Sequence, residues 1–187
     1  VATRVQCVLT PAARDEYEFA IYSRPAGGDQ AWTRHAHGVL RKQDTVQGGS
    51  EAVDIGALLA RCPQPLATDD IYRDLAERHL RYGPAFRGVT ALNLGAGEAL
   101  SRVELPAQVA PEAKNYQLHP ALLDACFQGI AAVLSEDEQA TYVPQGVDHI
   151  RAGRPVGAHA WCHLSAAPAA DAGADAMKAD LRLYDDD

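Results

Sequence analysis

Asp124 and Gln128 stand four residues apart in a stretch whose apolar residues recur at helical spacing. On a helix, residues i and i+4 share a face, so this carboxyl and this amide would meet. The apolar stripe is Leu123, Cys126, Phe127, Ile130, Val133 and Leu134, widened by Leu122 and Ala131. It predicts a helix from His119 to Leu134 covered on most sides. Asp124 and Gln128 would lie roughly 100° to 140° from the stripe's centre, beside apolar surface. Burial disfavours an ionised carboxyl, the condition for a general acid that keeps its proton near neutrality, and an adjacent amide can hold that carboxyl in one rotamer. The same spacing suits an Asp124 that faces water from an amphipathic helix, and spacing alone does not choose between the two.

Other chemistry is thinner. Cys7, Cys62, Cys126 and Cys162 form no C-x-x-C pair and have no metal-ligand spacing to any of the seven histidines, which argues against a metal site or a disulfide framework. Seventeen Lys and Arg against twenty-five Asp and Glu leave a net charge of −8, with no basic stripe to displace the counterions of a nucleic acid. An acidic chain would also repel anionic lipid, and no apolar run approaches the roughly 18 residues that span a bilayer. With 187 residues and 47% hydrophobic content, one sizeable core is expected.

The elements that must position Asp124 follow from patterning. Val5 to Leu40 alternates as an antiparallel meander: strands at Val5-Cys7-Leu9, Tyr17 to Ser23 and Trp32 to Leu40, separated by Pro11 and by Pro25 to Asp29. Gly48-Gly49-Ser50, Pro63 and Pro65 mark a linker. Thr68-Asp69-Asp70 offers an N-cap oxygen and first-turn carboxylates to a helix running from Ile71 to about Leu80, ending before Gly83-Pro84. Phe86 to Leu94 and Ala99 to Leu105 form a hairpin about Gly95-Ala96-Gly97, and Pro106 to Asn115 is a loop. Pro120 opens the Asp124 helix at a first-turn position, where its missing N–H costs nothing. Strands are expected at Tyr142-Val143, Val147 to Ile150, Ala158 to Leu164 and Ala179 to Tyr184, with a surface loop from Ser165 to Asp175. Strand, strand, long helix and further strands spell an α+β arrangement, an antiparallel sheet curled around one helix. The N-terminus lacks an initiator Met, and the strand pattern halts at Asp185-Asp186-Asp187, so both ends read as cut from a longer polypeptide.

Leu118-His119-Pro120-Ala121-Leu122-Leu123-Asp124-Ala125-Cys126-Phe127-Gln128 resembles the H-P-A-L-L-D-x-x-x-Q segment of the dehydratase domains of modular type I polyketide synthases. Arg81-Tyr82-Gly83-Pro84-Ala85-Phe86-Arg87-Gly88 is similar to that family's Y-G-P-x-F motif, which lies just before its second hot-dog fold. Tyr142-Val143-Pro144 with Val147 to Ile150 resembles the strand after the central helix. Trp32-Thr33-Arg34-His35-Ala36-His37-Gly38 resembles the W-x-x-H-A-x-G strand that closes the first hot dog. The resemblance spans nearly the whole chain, and the Y-G-P-x-F and H-P-A-L-L-D pair is specific.

The resemblance implies a double hot dog. Residues 1–45 would be closing strands of the first, 46–68 a linker and 69–187 the second, truncated at its C-terminus. It implies elimination of water from a 3-hydroxyacyl chain on acyl carrier protein, giving the 2,3-enoyl thioester. Asp124 would protonate the departing hydroxyl and Gln128 would orient it. The family's base is a His within H-x-x-x-G-x-x-x-x-P. His79 to Gly83 fits only the first part of that motif, with Gly88 in place of Pro, and overlaps Y-G-P-x-F; it reads as coincidence. His35 and His37 read as packing or exposed strand residues, so the base is expected outside this chain, which alone should be inactive.

Tyr82, Gly83, Pro84, Phe86, His119, Pro120 and Leu123 are the expected substrate-binding set. Tyr82 and Phe86 would line the acyl tunnel, against the alternatives of a wet-edged packing residue and a core residue. Gly83-Pro84 would shape the turn, and His119 would hold the start of the helix rather than carry a proton. No metal or intrinsic cofactor is implied, the substrate riding on phosphopantetheine. Implied partners are acyl carrier protein, the missing first half, the other synthase domains and a second copy in a homodimer, in the cytoplasm. A pyran-forming cyclase with the same fold and Asp remains an alternative, as does a non-catalytic structural module. A free-standing thioesterase or hydratase hot dog is disfavoured, because it needs no leftover strands.

Overall fold

The computed structural model describes residues 2–27, 30–42, 53–133, 143–151, 153–168 and 177–186. The chain divides into two units between residues 50 and 51.

The first unit is the expected meander, with β1 (Thr3–Ala13), β2 (Glu16–Pro25) and β3 (Thr33–Arg41) antiparallel in that order. Its first turn is not at Pro11 but at Arg14-Asp15, with Asp15 at φ 61°. β1 runs through Pro11 with a bulge before Ala13, since an edge strand tolerates the missing N–H. The register sets Cys7 beside Ile21 and Ala36, and Leu9 beside Phe19 and Gly38, which makes one face apolar. None of the described residues in 2–42 is buried.

The second unit begins inside the expected linker. α1 (Ile55–Arg61) is capped by Asp54, whose carboxylate accepts the Ala57 N–H. β4 (Gln64–Leu66) pairs with the strand at Leu92 to Leu94. Pro63 and Pro65 read as breakers in sequence, yet proline is at home on an edge strand. α2 (Thr68–Glu77) starts at Thr68 itself, preceded by Ala67 with no side-chain cap. Thr68 is therefore not the capping residue, while Asp69 and Asp70 do fill the first turn. The helix closes in a Schellman turn: the His79 N–H donates to Ala76 O, the Leu80 N–H to Leu75 O, and His79 takes φ 66°.

β5 (Val89–Gly95) and β6 (Glu98–Glu104) form the predicted hairpin, with Gly97 at φ 71° in its two-residue turn. With β4, β7 (His159–Pro168) and β8 (Met177–Tyr184) they complete an antiparallel five-stranded sheet in the order β4-β5-β6-β7-β8. β7 extends into the segment expected as a loop, and Ala110–Asn115 is a 3₁₀ helix rather than loop. Val143, Val147 and Ile150 are exposed and belong to no strand; three apolar residues amid Pro, Gly and Asp mimic alternation without a partner strand. Leu134, Tyr142 and Gly48-Gly49-Ser50 lie outside the described residues.

α3 (Pro120–Val133) lies across β5, β6 and β7, which is the helix-on-sheet packing of a hot-dog fold. Its buried face is the predicted stripe only at Cys126 and at Leu122 of the widening. Ala121, Leu122, Ala125, Cys126, Gln128 and Gly129 face inward, while Leu123, Phe127 and Ile130 are only half-buried. Residue size explains the rotation. A Cβ on Gly88 would stand 3.0 Å from the Ala125 Cβ and 2.9 Å from Glu104 O, and one on Gly129 would meet Leu92 and Leu164 at 3.9 Å. Small residues on the helix and glycine beneath it bring the two backbones together. Gly129 costs roughly 1 kcal/mol in helix propensity, less than the roughly 1.5–3 kcal/mol that burying each of Leu92, Leu122 and Leu164 contributes.

Candidate active site

Four segments converge on Asp124. α3 brings Asp124 and Gln128, α2 brings Tyr72, the 3₁₀ turn Pro84–Phe86 brings a carbonyl, and β5 opens with the Val89 amide. Gln128 is 2% exposed and fully bonded. Its Nε2 donates to Asp124 Oδ2 at 2.8 Å and to Phe86 O at 2.8 Å. Its Oε1 accepts from the Tyr72 hydroxyl at 3.1 Å, and the Tyr72 oxygen accepts the Val89 N–H at 3.0 Å. Asp124 itself is half-buried at the rim of the helix's buried face. The open alternative is thus decided: Asp124 is a held carboxyl and not a free surface charge.

Two tyrosines border it. Tyr82 packs edge-on against Tyr72, with ring centroids 6.3 Å apart, and the Arg87 guanidinium sits 5.1 Å from the Tyr72 ring centroid. Burial pushes both phenols above the ordinary tyrosine range, and the Asp124 charge pushes each the same way. For Tyr72 the Val89 amide and Arg87 pull back. Both therefore stay protonated, which Tyr72 must do to donate to Gln128.

The other expected residues divide. Phe86 is 43% exposed, so its ring is not core, and its carbonyl is what reaches Gln128. Gly83 and Pro84 are exposed and build the turn, the Phe86 N–H donating to Gly83 O at 2.9 Å. Leu123, beside Asp124, is half-buried, and Pro120 is exposed at the first helical position. His119 is buried where α3 begins. Its Nδ1 accepts the Ala121 N–H at 3.1 Å and its ring meets Tyr116 edge-on at 4.7 Å, so it caps the helix as expected. That bond puts the ring proton on Nε2, 3.8 Å from Glu112 Oε2. His79 is exposed in the α2 turn, and His35 and His37 are exposed on β3. His149 and Gly153 repeat the H-x-x-x-G spacing, with Ala158 where Pro would stand, and His149 is exposed too.

The family model described as the polyketide synthase dehydratase N-terminal domain matches residues 50–187. The chain belongs to the polyketide synthase dehydratase family. It is 44% identical over 111 residues to polyketide synthase GfsB of Streptomyces halstedii, a match covering 56% of this chain and 2% of that one. It is 32% identical over 170 residues to a phthioceranic/hydroxyphthioceranic acid synthase of Mycobacterium tuberculosis (strain H37Rv), covering 86% and 8%.

Among solved structures, the dehydratase domain from the CurF module of the curacin polyketide synthase superposes with TM-score 0.82 at 29% identity, covering 97% of this chain and 62% of that one. Two CurK dehydratase structures, each at TM-score 0.79 and 28% identity with 98% and 62% coverage, are inactive mutants. One exchanges a histidine for phenylalanine, the other an aspartate for asparagine. The chain thus spans under a tenth of these curated relatives and about three fifths of the solved dehydratase domains. The member of this hydrogen-bond network that the sequence did not reveal is Tyr72. Its signal was faint: a tyrosine one residue after Ile71 on the buried side of a short helix, with partners 17 and 56 residues away.

Proposed function

We propose that these residues form the acid half of a dehydratase site that removes water from a 3-hydroxyacyl chain on the phosphopantetheine arm of an acyl carrier protein. The observation that carries this reading is the Asp124 carboxyl held through Oδ2 by a buried, fully bonded Gln128. Oδ1 then serves the substrate. A base takes the C2 proton, the C2–H electrons form the C2=C3 bond, the C3–O bond breaks, and Asp124 protonates the leaving hydroxyl to give water and the 2,3-enoyl thioester. The base is a histidine supplied from outside these residues, since no histidine here stands in H-x-x-x-G-x-x-x-x-P. The inactive histidine and aspartate mutants of the CurK dehydratase support a pair of that kind.

Residues 1–45 act as closing strands of the first hot dog and residues from 51 onward as the second. Tyr82, Phe86 and Leu123 wall the acyl channel, with Gly83-Pro84 and His119-Pro120 shaping its two sides. The exposed Phe86 ring and half-buried Leu123 suit an apolar guest. Acyl carrier protein, the neighbouring synthase domains and a second copy in a homodimer are the partners, and the cytoplasm is the setting.

The test is dehydration of a 3-hydroxyacyl N-acetylcysteamine thioester by the dehydratase domain carrying these residues, followed by enoyl absorbance. Asp124→Asn keeps shape and the bond to Gln128 but has no acidic proton, so the rate should fall by roughly 10² to 10⁴. Near-normal turnover would refute the assignment. Gln128→Ala should lose less, and the 187-residue chain alone should be inactive until the upstream half is supplied.

A further inference from the structure

Resting on the dehydratase reading, we infer that Tyr72 is a positioning residue: its phenol fixes the Gln128 amide so that Asp124 presents its proton on Oδ1. The chain of donors runs one way. The Val89 N–H can only donate, so it takes a lone pair of the Tyr72 oxygen at 3.0 Å and leaves the phenol proton for Gln128 Oε1 at 3.1 Å. With Oε1 committed, both Nε2 protons point the other way, one to Phe86 O and one to Asp124 Oδ2, each at 2.8 Å. Rotating the amide by half a turn would set Oε1 against the Phe86 carbonyl, which can only accept, and is excluded. An N–H on Oδ2 makes that oxygen the carbonyl oxygen of the protonated acid. The oxygen left to carry the proton that the elimination delivers is Oδ1.

Tyr72 ties three elements to this polarity, since α2 carries it, β5 feeds it and α3 receives from it. Gln128 is 2% exposed, so no bulk water replaces a lost phenol. Removing the hydroxyl leaves Oε1 and the Val89 N–H without partners and frees the amide to tilt away from Asp124. The ring contacts with Tyr82 and Arg87 need no hydroxyl, so phenylalanine preserves the packing.

The experiment uses the dehydratase domain carrying these residues, with Tyr72→Phe, Gln128→Met and the double variant assayed on a 3-hydroxyacyl thioester beside Asp124→Asn. Tyr72→Phe should lower kcat about tenfold while KM stays within about twofold, because orientation at the reacting proton is lost and binding is not. Gln128→Met should cost at least as much. In its background, Tyr72→Phe should add nothing, since the phenol acts only through that amide. Additive losses, a loss confined to KM, a Gln128→Met loss smaller than that of Tyr72→Phe, or an unchanged kcat would each overturn the inference, provided Asp124→Asn is inactive. Normal turnover by Asp124→Asn would instead overturn the dehydratase reading on which it rests.

Discussion

On β6, Ala99, Leu100, Ser101 and Val103 are all buried, whereas on β1, a longer strand with clearer alternation, every residue but the half-exposed Val8 is exposed. The two strands differ in what lies over them. β6 has α3 on one face, against Val103 and Ala99, and α1 on the other, where Leu58 and Cys62 close over Leu100. β1 belongs to a sheet with no helix among the described residues of its unit. Alternation makes a strand, but a core needs a second layer close enough to exclude water. Chemistry follows the same division, because a carboxyl and an amide can be locked together only where packing holds both. Asp124→Asn, the largest effect expected, would place the acid of the proposed site in the second unit, with His35→Ala and His37→Ala as near-neutral counterparts on β3.

Gly88 tests the close approach itself. Its Cβ, if added, must displace Glu104 O at 2.9 Å or the Ala125 Cβ at 3.0 Å, the first a main-chain atom of β6 and the second a buried atom of α3, neither of which can swing aside. Gly88→Ala should destabilise the second unit by about 1–3 kcal/mol, as overpacking does. Denaturant midpoints measure this, and a variant as stable as the parent would mean that α3 is not seated as described.

The layers over this sheet were only partly legible. β5, β6, β8 and the extent of α3 could be read because turn residues and periodicity are local signals. The facing of α3 could not: hydrophobicity runs nearly all round it, and the choice between Leu123-Phe127-Ile130 and Ala121-Ala125-Gly129 was made by Gly88, more than thirty residues away. β4 was read as linker for a related reason, since two prolines hide a strand whose only merit is its partner at Leu92 to Leu94. The Asp124–Gln128 contact was legible because i, i+4 is a local relation. Tyr72 and the Phe86 carbonyl were not, because a main-chain acceptor leaves no trace in residue type.

A smaller effect concerns the far face of the same sheet. Glu98, 13% exposed, accepts from Arg61 Nε at 3.0 Å and lies 2.7 Å from His163 Nε2, joining α1 to the β5–β6 turn and to β7. His163, then Arg61, hold its carboxyl below the usual carboxylate range, against the opposing pull of burial. A folded-state value below the unfolded one gives stability that is present above the unfolded carboxylate range and lost as pH falls through the folded value. Glu98→Gln should therefore cost about 1 kcal/mol near pH 7 and progressively less at acidic pH, as the carboxyl is protonated in the folded state. Parallel urea curves at neutral and acidic pH would show no role for the cluster.

The smallest effect should come from the glycine on the other sheet. Gly38 lies across from Phe19, and an added Cβ would stand 2.8 Å from the ring's Cε1, closer than anything at Gly88. Distance alone would rank it the worse substitution. The neighbour, however, is the far end of a half-buried side chain on a sheet with no buried residue, and a small χ turn moves it away. Alanine also removes glycine's excess unfolded-state freedom, worth about 0.4–1 kcal/mol where the backbone conformation is compatible, and Gly38 has no positive φ. Gly38→Ala should thus leave stability within about 0.5 kcal/mol of the parent or raise it slightly. Hydrogen exchange of the β2 and β3 amides reads this locally. A loss of protection as large as that of Gly88→Ala around β5 would show that Phe19 is as firmly held as the core beneath α3, and that the two sheets differ less than their burial says.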